Sequence, residues 1–401
     1  MTISAGDHVI ETYVRMRGFD YQPRTRVVFD EGAIDRVGTL ARDLGANSVL
    51  VVTDGHLVAA GHVVHAKRSL DEAGLAWHLF EDAHENPTTR DVDMCVAFAR
   101  DRSVDAIIGI GGGSSLDTAK GCNFLLTNGG VMHDYRGVGK AVHPMLPMIA
   151  IPTTAGTGSE CQSFALIADA DTHQKMACGD VKAAPRIALL DPTLTLTQPR
   201  FVTANTGIDA IAHAIESAVC TRCNELSQLL SHEAWRYMHH DLPRVLADGD
   251  DLSARGRMQL GAAMAGMAIE NSMLGAAHSA ANPLTARFNV VHGAAVGVML
   301  PHVMAFNAYT PAVRAEYAQM AVDAGLIESA DNEEAGVEAM IDHINVLLGE
   351  ARIPRTLSGY GIDGRAIADL ANEAAQQWTA QFNPRQIERD DFERLYHAAL
   401  D

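Results

Sequence analysis

The change of hydrophobic pattern near residue 200 constrains the fold of this 401-residue chain more than any other feature. Before it, short apolar runs alternate with helical segments, which is typical of buried strands in a mostly parallel sheet that helices cover on both faces. The predicted strands are residues 48–53, 104–110, 148–152, 164–168 and 187–190, with residues 25–29 as a strand or hairpin before them. The predicted helices include residues 88–102 and 114–126.

Beyond residue 201 the strand signals nearly vanish and helical periodicity takes over. The predicted helices there include residues 205–220, 225–240, 252–269 and 311–324. Two prolines, in Asp191-Pro192 and Gln198-Pro199, mark the change. We therefore predict two domains, an α/β domain at residues 1–200 and an all-helical domain at residues 201–401.

Composition excludes some classes of partner. The formal net charge of −19 argues against nucleic acid or an anionic membrane as the main partner. No apolar run approaches the ~20 residues of a spanning helix, and residues 1–14 lack the basic and apolar regions of a secretory signal. Six scattered cysteines fit a reducing compartment, so we predict a cytoplasmic protein.

Four residues of the second half form a candidate metal site. Asp209 and His213 lie four apart in the helical segment GIDAIAHAIES, which places both on one face. His278 and His292 follow in small or apolar surroundings, where an unpartnered polar group would be costly. A carboxylate and three imidazoles suit Fe²⁺, Zn²⁺ or a similar divalent ion. The alternative is that His278 and His292 are separate core histidines with their own hydrogen bonds.

A glycine-rich turn, GGGSSLDTAK at residues 111–120, follows a predicted buried strand and opens a helix. Glycines let the backbone press against a phosphate, and the helix start offers free N–H groups and a positive dipole end. The turn lacks the GK[ST] ending of a P-loop and the G-x-G-x-x-G dinucleotide pattern. It is therefore either a pyrophosphate site or a purely structural turn.

Two further strand ends support nucleotide binding. Asp54 ends a predicted strand, where its carboxylate could accept hydrogen bonds from a ribose 2′-OH and repel a 2′-phosphate. It precedes the glycine turn, whereas the acid of the standard dinucleotide fold follows that turn, so the topology must differ. The alternative for Asp54 is a helix N-cap before His56. A second turn rich in hydroxyls and glycines, PTTAGTGSE at residues 152–160, could reach the nucleotide from the other side.

With these segments in place, the chain resembles the iron-containing (group III) alcohol dehydrogenase family over nearly its whole length. The resemblance rests on GGGSSLDTAK, PTTAGTGSE, GIDAIAHAIES, the pair His278 and His292, and Asn383-Pro384-Arg385. It implies an N-terminal Rossmann-like α/β domain, a C-terminal helical domain, and a site in the cleft between them. It also implies a homodimer or higher homo-oligomer.

The resemblance implies roles for individual residues. Asp209, His213, His278 and His292 become the metal ligands. The implied nucleotide contacts are Asp54, Asn86, Gly112, Gly113, Ser114, Asp117, Thr153, Thr154 and Lys175. Asp54 then favours NAD(H) over NADP(H) because its charge would repel a 2′-phosphate.

Two positions depart from the family pattern. Many members have H-x3-H at the third ligand, whereas this chain has Asn282 four residues after His278. An amide can hydrogen-bond but cannot exchange a proton near neutral pH. Glu270 stands where relatives often carry apolar or small residues; we expect it to face away from the site.

The expected activity is reversible hydride transfer between NAD(H) and a small primary alcohol or aldehyde, assisted by Fe²⁺, Zn²⁺ or another divalent ion. We assign Asn282 and the ligand His292 to the catalytic centre, and expect Ile269, Glu270, Asn282 and Trp378 to decide the substrate if they face it. A dehydroquinate-synthase-like lyase is the alternative, but it needs a basic pocket, and Arg287 is the main cation near the metal segments. A catalytically inactive nucleotide sensor is the third hypothesis.

Overall fold

The computed structural model describes residues 18–172 and 174–401. Within them, a six-stranded parallel sheet of order β1-β9-β6-β4-β2-β3 and a three-stranded sheet of order β5-β8-β7 occupy the first half. The strands are β1 (Arg26–Phe29), β2 (Ser48–Val52), β3 (Ala76–Phe80), β4 (Ala106–Gly111), β5 (Gly137–Val138), β6 (Met148–Pro152), β7 (Phe164–Ala168), β8 (Lys175–Gly179) and β9 (Ile187–Leu190). The secretory-signal prediction for residues 1–14 lies outside the described residues.

Helices cover both faces of the large sheet, as predicted. They are α1 (Val37–Asp43), α2 (Gly55–Ala59), α3 (His62–Glu72), α4 (Thr89–Arg100) and α5 (Gly113–Asn128). Successive residues of β2 face opposite sides, so Val49 and Val51 pack in one apolar core while Leu50 and Val52 pack in the other. Two-sided burial explains the continuous apolar runs of the central strands.

Two strands that the sequence did not predict, β3 and β8, are only partly buried. β3 pairs only with β2, and its Trp77 and His78 are half-buried, so it needs no continuous apolar run. β8 pairs antiparallel with β7 in the small sheet and begins at the polar Lys175. The predicted strand at 164–168 is present as β7, but it lies outside the large sheet.

Only helices follow β9 among the described residues. They are α6 (Arg200–Val219), α7 (Glu225–Ala247), α8 (Leu252–Glu270), α9 (Ala276–Phe288), α10 (His292–Asn307), α11 (Pro311–Asp323), α12 (Glu333–Ala351), α13 (Ile367–Ala375) and α14 (Arg389–Ala398). Helix α6 runs through the apolar core of this half and is buried along most of its length. No described helix is long and apolar enough to span a bilayer. The predicted class, an α/β domain followed by a helical domain, is confirmed.

Candidate metal and cofactor site

The three strand ends that the sequence singled out lie side by side. β4 is hydrogen-bonded to β2 on one side and to β6 on the other. From β2 the chain passes to β3 on one edge and then crosses to β4 on the other side, so the order of strands reverses between β2 and β4. In open parallel sheets ligands bind outside the carboxyl ends of strands at such a point.

Two glycines of the turn at the end of β4, Gly111 and Gly113, leave no room for a side chain. Gly111 has a φ of 151°, and a Cβ there would lie 2.5 Å from the Ser115 Oγ. A Cβ on Gly113 would lie 2.7 Å from the Thr157 Cγ2 in the second turn. The 16-residue helix α5 begins here without a side-chain cap, so its first N–H groups are available to an anion.

Asp54 caps a helix and also faces the glycine turn. Its Oδ1 accepts hydrogen bonds from the backbone N–H groups of His56 (3.0 Å) and Leu57 (3.1 Å), which begin α2. Its Oδ2 lies 3.4 Å from the Ser115 Oγ. The N-cap interpretation therefore holds for one oxygen, and the ribose contact stays a prediction for the other.

Asp117 and Lys120 join α5 to the second turn. The Asp117 carboxylate accepts from the Ser159 Oγ (2.7 Å) and the Leu166 N–H (3.1 Å). The Lys120 Nζ donates to the Ser159 carbonyl (2.6 Å) and to the Phe164 carbonyl (2.8 Å). Both oxygens of Asp117 thus have partners inside the protein, and its nucleotide contact stays a prediction. No sequence pattern indicated the role of Lys120.

The remaining candidate nucleotide contacts differ in exposure. Asn86 has a φ of 52° and donates its backbone N–H to the Ser114 Oγ (3.3 Å). Thr154 lines the cavity described below, whereas Thr153 is buried behind it and donates its N–H to the Gly111 carbonyl (3.1 Å). Lys175 also lines the cavity. Burial lowers the pKa of Lys175, and the Asp117 and Asp209 carboxylates offset this only in part.

The four candidate metal ligands converge from three helices. Asp209 and His213 lie one turn apart on α6, His278 is in the first turn of α9, and His292 begins α10. The Asp209 Oδ1 lies 3.6 Å from the His213 Nε2, 3.4 Å from the His278 Nε2 and 3.7 Å from the His292 Nε2. The rings of His213 and His278 stack with centroids 4.8 Å apart.

These atoms fit a divalent metal ion. Ligand atoms of Asp209, His278 and His292 all lie within 4.8 Å of one another. Among the described residues, the buried Asp209 Oδ1 and His278 Nε2 have no hydrogen-bond partner, although leaving them unpaired is costly. His213 falls outside the 4.8 Å group, so its place as a fourth ligand stays a prediction. The alternative of separate, hydrogen-bonded core histidines does not describe this arrangement.

The protonation of three of the four candidate ligands also suits metal binding. Burial alone would raise the pKa of Asp209, but His213 and His292 hold it well below its usual range. Burial lowers the pKa of His213, and it lowers that of His292 to about 3, so both offer neutral imidazoles. Burial opposes the charged form of His278 too, but Glu216 and Asp209 raise its pKa to about 9. A metal must therefore displace a proton from His278.

Glu216 is a functional candidate that the sequence reasoning missed. It is buried on α6, and its carboxylate accepts from the His278 Nδ1 (2.5 Å) and the Ala277 N–H (2.7 Å). A carboxylate on the far nitrogen of a ligand histidine fixes its tautomer and ring orientation. The signal was present, since Asp209, His213 and Glu216 follow helical spacing.

The Asn383-Pro384-Arg385 segment supports the start of α9. The Asn383 Oδ1 accepts from the Ala276 N–H (3.2 Å) and from the Asn307 Nδ2 (3.1 Å). Its Nδ2 donates to the Asn307 Oδ1 (2.7 Å). Asn383 and Glu216 together bind the first N–H groups of the helix that carries His278.

The two departures from the family pattern have different outcomes. Asn282 lines the cavity and donates from its Nδ2 to the Gln377 Oε1 (3.1 Å). Glu270 faces away, as expected, because its carboxylate accepts from the Ser163 N–H and Oγ (both 2.9 Å) and pairs with Arg24 (3.5 Å). Arg287 pairs at the surface with Asp369 and Glu373, so it supplies no basic pocket for a lyase.

One cavity of about 750 Å³ joins the two sets of residues. Its nucleotide side includes Asn86, Gly112, Gly113, Ser114, Asp117, Thr154 and Lys175. Its metal side includes Asp209, His213, His278, His292 and Asn282. A cofactor on the sheet and an ion on the helices would therefore share one space.

Known proteins resemble the chain in both halves. The family model described as "Iron-containing alcohol dehydrogenase" matches residues 23–192, and the model of the C-terminal part of that family matches residues 203–400. The chain is 35% identical to NAD-dependent methanol dehydrogenase of Bacillus methanolicus over 93% of this chain and 97% of that protein. A solved 1,3-propanediol oxidoreductase is 30% identical, with a TM-score of 0.92 over 96% of this chain and 100% of that one. A solved sulfoacetaldehyde reductase from Bifidobacterium kashiwanohense, in complex with NAD⁺, is 26% identical, with a TM-score of 0.85 over 96% of this chain and 99% of that one.

Proposed function

Because the chain belongs to the iron-containing alcohol dehydrogenase family, we propose that it transfers a hydride between NAD(H) and a small primary alcohol or aldehyde. The observation that carries the proposal is the single cavity lined by both the glycine turn and the Asp209 group. Relatives named as methanol dehydrogenase and 1,3-propanediol oxidoreductase support a short substrate.

Asp209, His278 and His292, with His213 as the fourth ligand, would hold the ion. When bound, a divalent ion here supplies a Lewis acid for the substrate oxygen, and NAD supplies the hydride chemistry. The donor set suits Fe²⁺ and also Zn²⁺. Glu216 keeps the His278 ring turned so that its Nε2 faces Asp209.

The sheet edge would hold the nucleotide. The first N–H groups of α5 are open to its phosphates, with Gly112, Gly113 and Ser114 around them. Asp54, Asn86, Asp117, Thr153, Thr154 and Lys175 complete the proposed set. At the other side of the cavity, the Asn282 amide can hydrogen-bond the substrate hydroxyl and orient its proton, but it cannot take that proton.

Replacement of the ligands tests the proposal. Asp209→Ala and His278→Ala should each abolish NAD-linked alcohol oxidation and metal binding. The Kd for NADH should stay within about threefold of the wild-type value, because the sheet edge is unchanged. His397→Ala, an exposed histidine on α14, is the control and should keep both. Full activity in a metal-free variant would contradict the proposal, and no net NADH consumption with any aldehyde would favour the lyase alternative or an inactive sensor.

We also propose that the chain acts in the cytoplasm as a homo-oligomer. The six cysteines are scattered along the sequence, which suits a reducing compartment. Strand β1 lies at the edge of the large sheet with Phe29 exposed, and Phe19 and Tyr21 are exposed just before it. Sedimentation at micromolar concentration should give a mass at least twice that of the chain; a monomer would contradict this.

A further inference from the structure

A short segment beside α9 is tied to the helix that carries His278. The Gln377 Oε1 accepts from the Asn282 Nδ2 (3.1 Å), and the Thr379 Oγ1 is hydrogen-bonded to the Ser279 Oγ (2.7 Å). Ser279 directly follows His278, and Asn282 lies one turn beyond it. Trp378 stands between the two tied residues, so its place in the cavity wall is fixed from both sides.

Trp378 meets Phe164 across the cleft. Their ring centroids lie 5.6 Å apart with an interplanar angle of 33°. Phe164 begins β7 in the sheet half, and Trp378 belongs to the helical half, and both line the cavity. We call this pair the aromatic bridge.

Neither ring of the aromatic bridge can withdraw easily. A Cβ on Gly179 would lie 2.3 Å from the Phe164 ring, so that ring already rests on the backbone of β8. The Lys120 Nζ holds the Phe164 carbonyl at 2.8 Å. On the other side, Trp378 packs edge-on against Phe382 at 5.7 Å, within a small apolar cluster that includes Met273.

The surrounding wall is neutral. Ile269, Met273 and Leu274 line the cavity at the end of α8, while Asn282 and Gln377 offer amides. Glu270 faces away. Among the described residues, Lys175 is the only lysine or arginine on the cavity wall. It pairs with Ala168 at the opposite end of the β7–β8 ladder from Phe164, about 13 Å along the strand.

We propose that the aromatic bridge sets the substrate range, so that the enzyme takes short, unbranched, uncharged primary alcohols and aldehydes and excludes longer ones. This inference rests on the proposed function. A rigid apolar wall discriminates by size, because each methylene that does not fit must displace a packed ring. The amides of Asn282 and Gln377 leave room for a neutral hydrogen-bonding substrate but give a carboxylate no partner charge.

Specificity ratios test the proposal. We would measure kcat/KM for ethanol, 1-butanol and 1-hexanol with the wild type, Trp378→Ala, Phe164→Ala and the double variant. Each single variant should raise the hexanol-to-ethanol ratio by about tenfold or more. The double variant should raise the hexanol-to-ethanol ratio by less than the product of the two single-variant factors, because both changes open the same wall. Phe288→Ala, at the end of α9 and outside the cavity lining, is the control and should keep the wild-type ratio.

The outcomes separate this inference from the proposed function. Variants that oxidise ethanol with an unchanged ratio, within twofold, would overturn the role of the aromatic bridge and leave the dehydrogenase activity standing. A wild type that oxidises none of the alcohols would overturn the proposed function itself. If the alanine variants do not fold, Trp378→Phe and Phe164→Leu keep an apolar contact while removing bulk, and the same ratio decides.

Discussion

At the scale of single residues, Glu216 is the sharpest test of how the helices prepare the metal site. Glu216→Gln keeps the side-chain shape but removes the charge that accepts the His278 Nδ1–H. We expect metal affinity to fall about 10–100-fold, as for other carboxylates behind a ligand histidine. Competition with a chromophoric chelator, using Co²⁺ or Zn²⁺, measures this without any turnover. Glu233→Gln, at a half-exposed position on α7, is the matched control; equal affinities in the two variants would contradict the role of Glu216.

Asp54 gives the second residue-scale prediction, which concerns cofactor choice. Asp54→Asn retains the N-cap of α2, since asparagine caps as well as aspartate, but removes the charge beside the proposed ribose site. The NADPH-to-NADH ratio of kcat/KM should therefore rise. Asp54→Gly should act in the same direction with a slight loss of stability. A wild type that already prefers NADPH would show that Asp54 has no such role.

The sequence predicted the candidate metal ligands better than the residues that hold those ligands in place. Asp209 and His213 could be placed together because helical geometry joins positions four apart. His278 and His292 could be proposed from their apolar surroundings. The link from Glu216 to His278 spans 62 positions, and that from Asn383 to Ala276 spans 107. Local periodicity can place Glu216 on the helix face of Asp209, but it does not show which distant residue either side chain contacts.

At the scale of helices, the approach of α10 to α6 offers a paired glycine test. A Cβ on Gly293 would lie 1.9 Å from the Asn205 carbonyl oxygen, so Gly293→Ala must push α10 and its first residue His292 away from α6. We expect a loss of about 1–3 kcal/mol of unfolding free energy together with weaker metal binding. In Gly349→Ala the new methyl group meets open space on α12. Alanine favours the helix over glycine, so the free energy of unfolding should rise by about 0.5–1 kcal/mol. Similar effects of the two changes on metal affinity would contradict the close approach of α10.

A half-buried ion cluster joins α7 to α11 and makes stability depend on pH. The His232 Nδ1 lies 2.5 Å from the Asp323 carboxylate and the Nε2 lies 2.7 Å from that of Glu316. Burial opposes the charge on His232, but the two carboxylates outweigh it and raise its pKa above the usual 6.5. A raised histidine pKa stabilises the fold fully below the unfolded pKa, and this stabilisation is lost as pH rises through the folded pKa.

His232→Gln should therefore lower the stability of the protein most at low pH. The melting temperature of the variant should lie furthest below that of the wild type at about pH 6, and the gap should narrow as pH rises. His397→Gln on the exposed face of α14 should show no such trend. A gap that is constant or widens with pH would contradict a charged His232 in the fold.

The elements that the sequence predicted well share a physical cause. Strands buried on both faces, such as β4 and β6, need uninterrupted apolar residues and are therefore visible in the sequence. The edge strand β3 and the small-sheet strand β8 are partly exposed, so their composition resembles that of a loop. Helices α6 to α8 were predicted because their apolar faces are long, although α6 and α7 extend beyond the predicted ends.

At the scale of the whole molecule, the sheet half and the helical half divide the chemistry between them. The order of strands brings Asp54, the glycine turn and the second turn to one edge, although they are spread over about a hundred residues of sequence. The bundle brings Asp209, His278 and His292 to the facing wall. The sequence predicted both sets and the class of fold. The shared cavity and the aromatic bridge depend on how the halves pack, which no local pattern specifies.

The central claim is that one divalent ion on the helical half and one NAD(H) on the sheet half meet in this cavity. A crystal structure of the anaerobically loaded protein with Fe²⁺ and NADH, with anomalous data at the iron edge, tests it most directly. We predict one anomalous peak within coordination distance of Asp209, His278 and His292, with the pyrophosphate at the start of α5 and the nicotinamide in the same cavity. A peak elsewhere, or a nucleotide bound away from the glycine turn, would contradict the account.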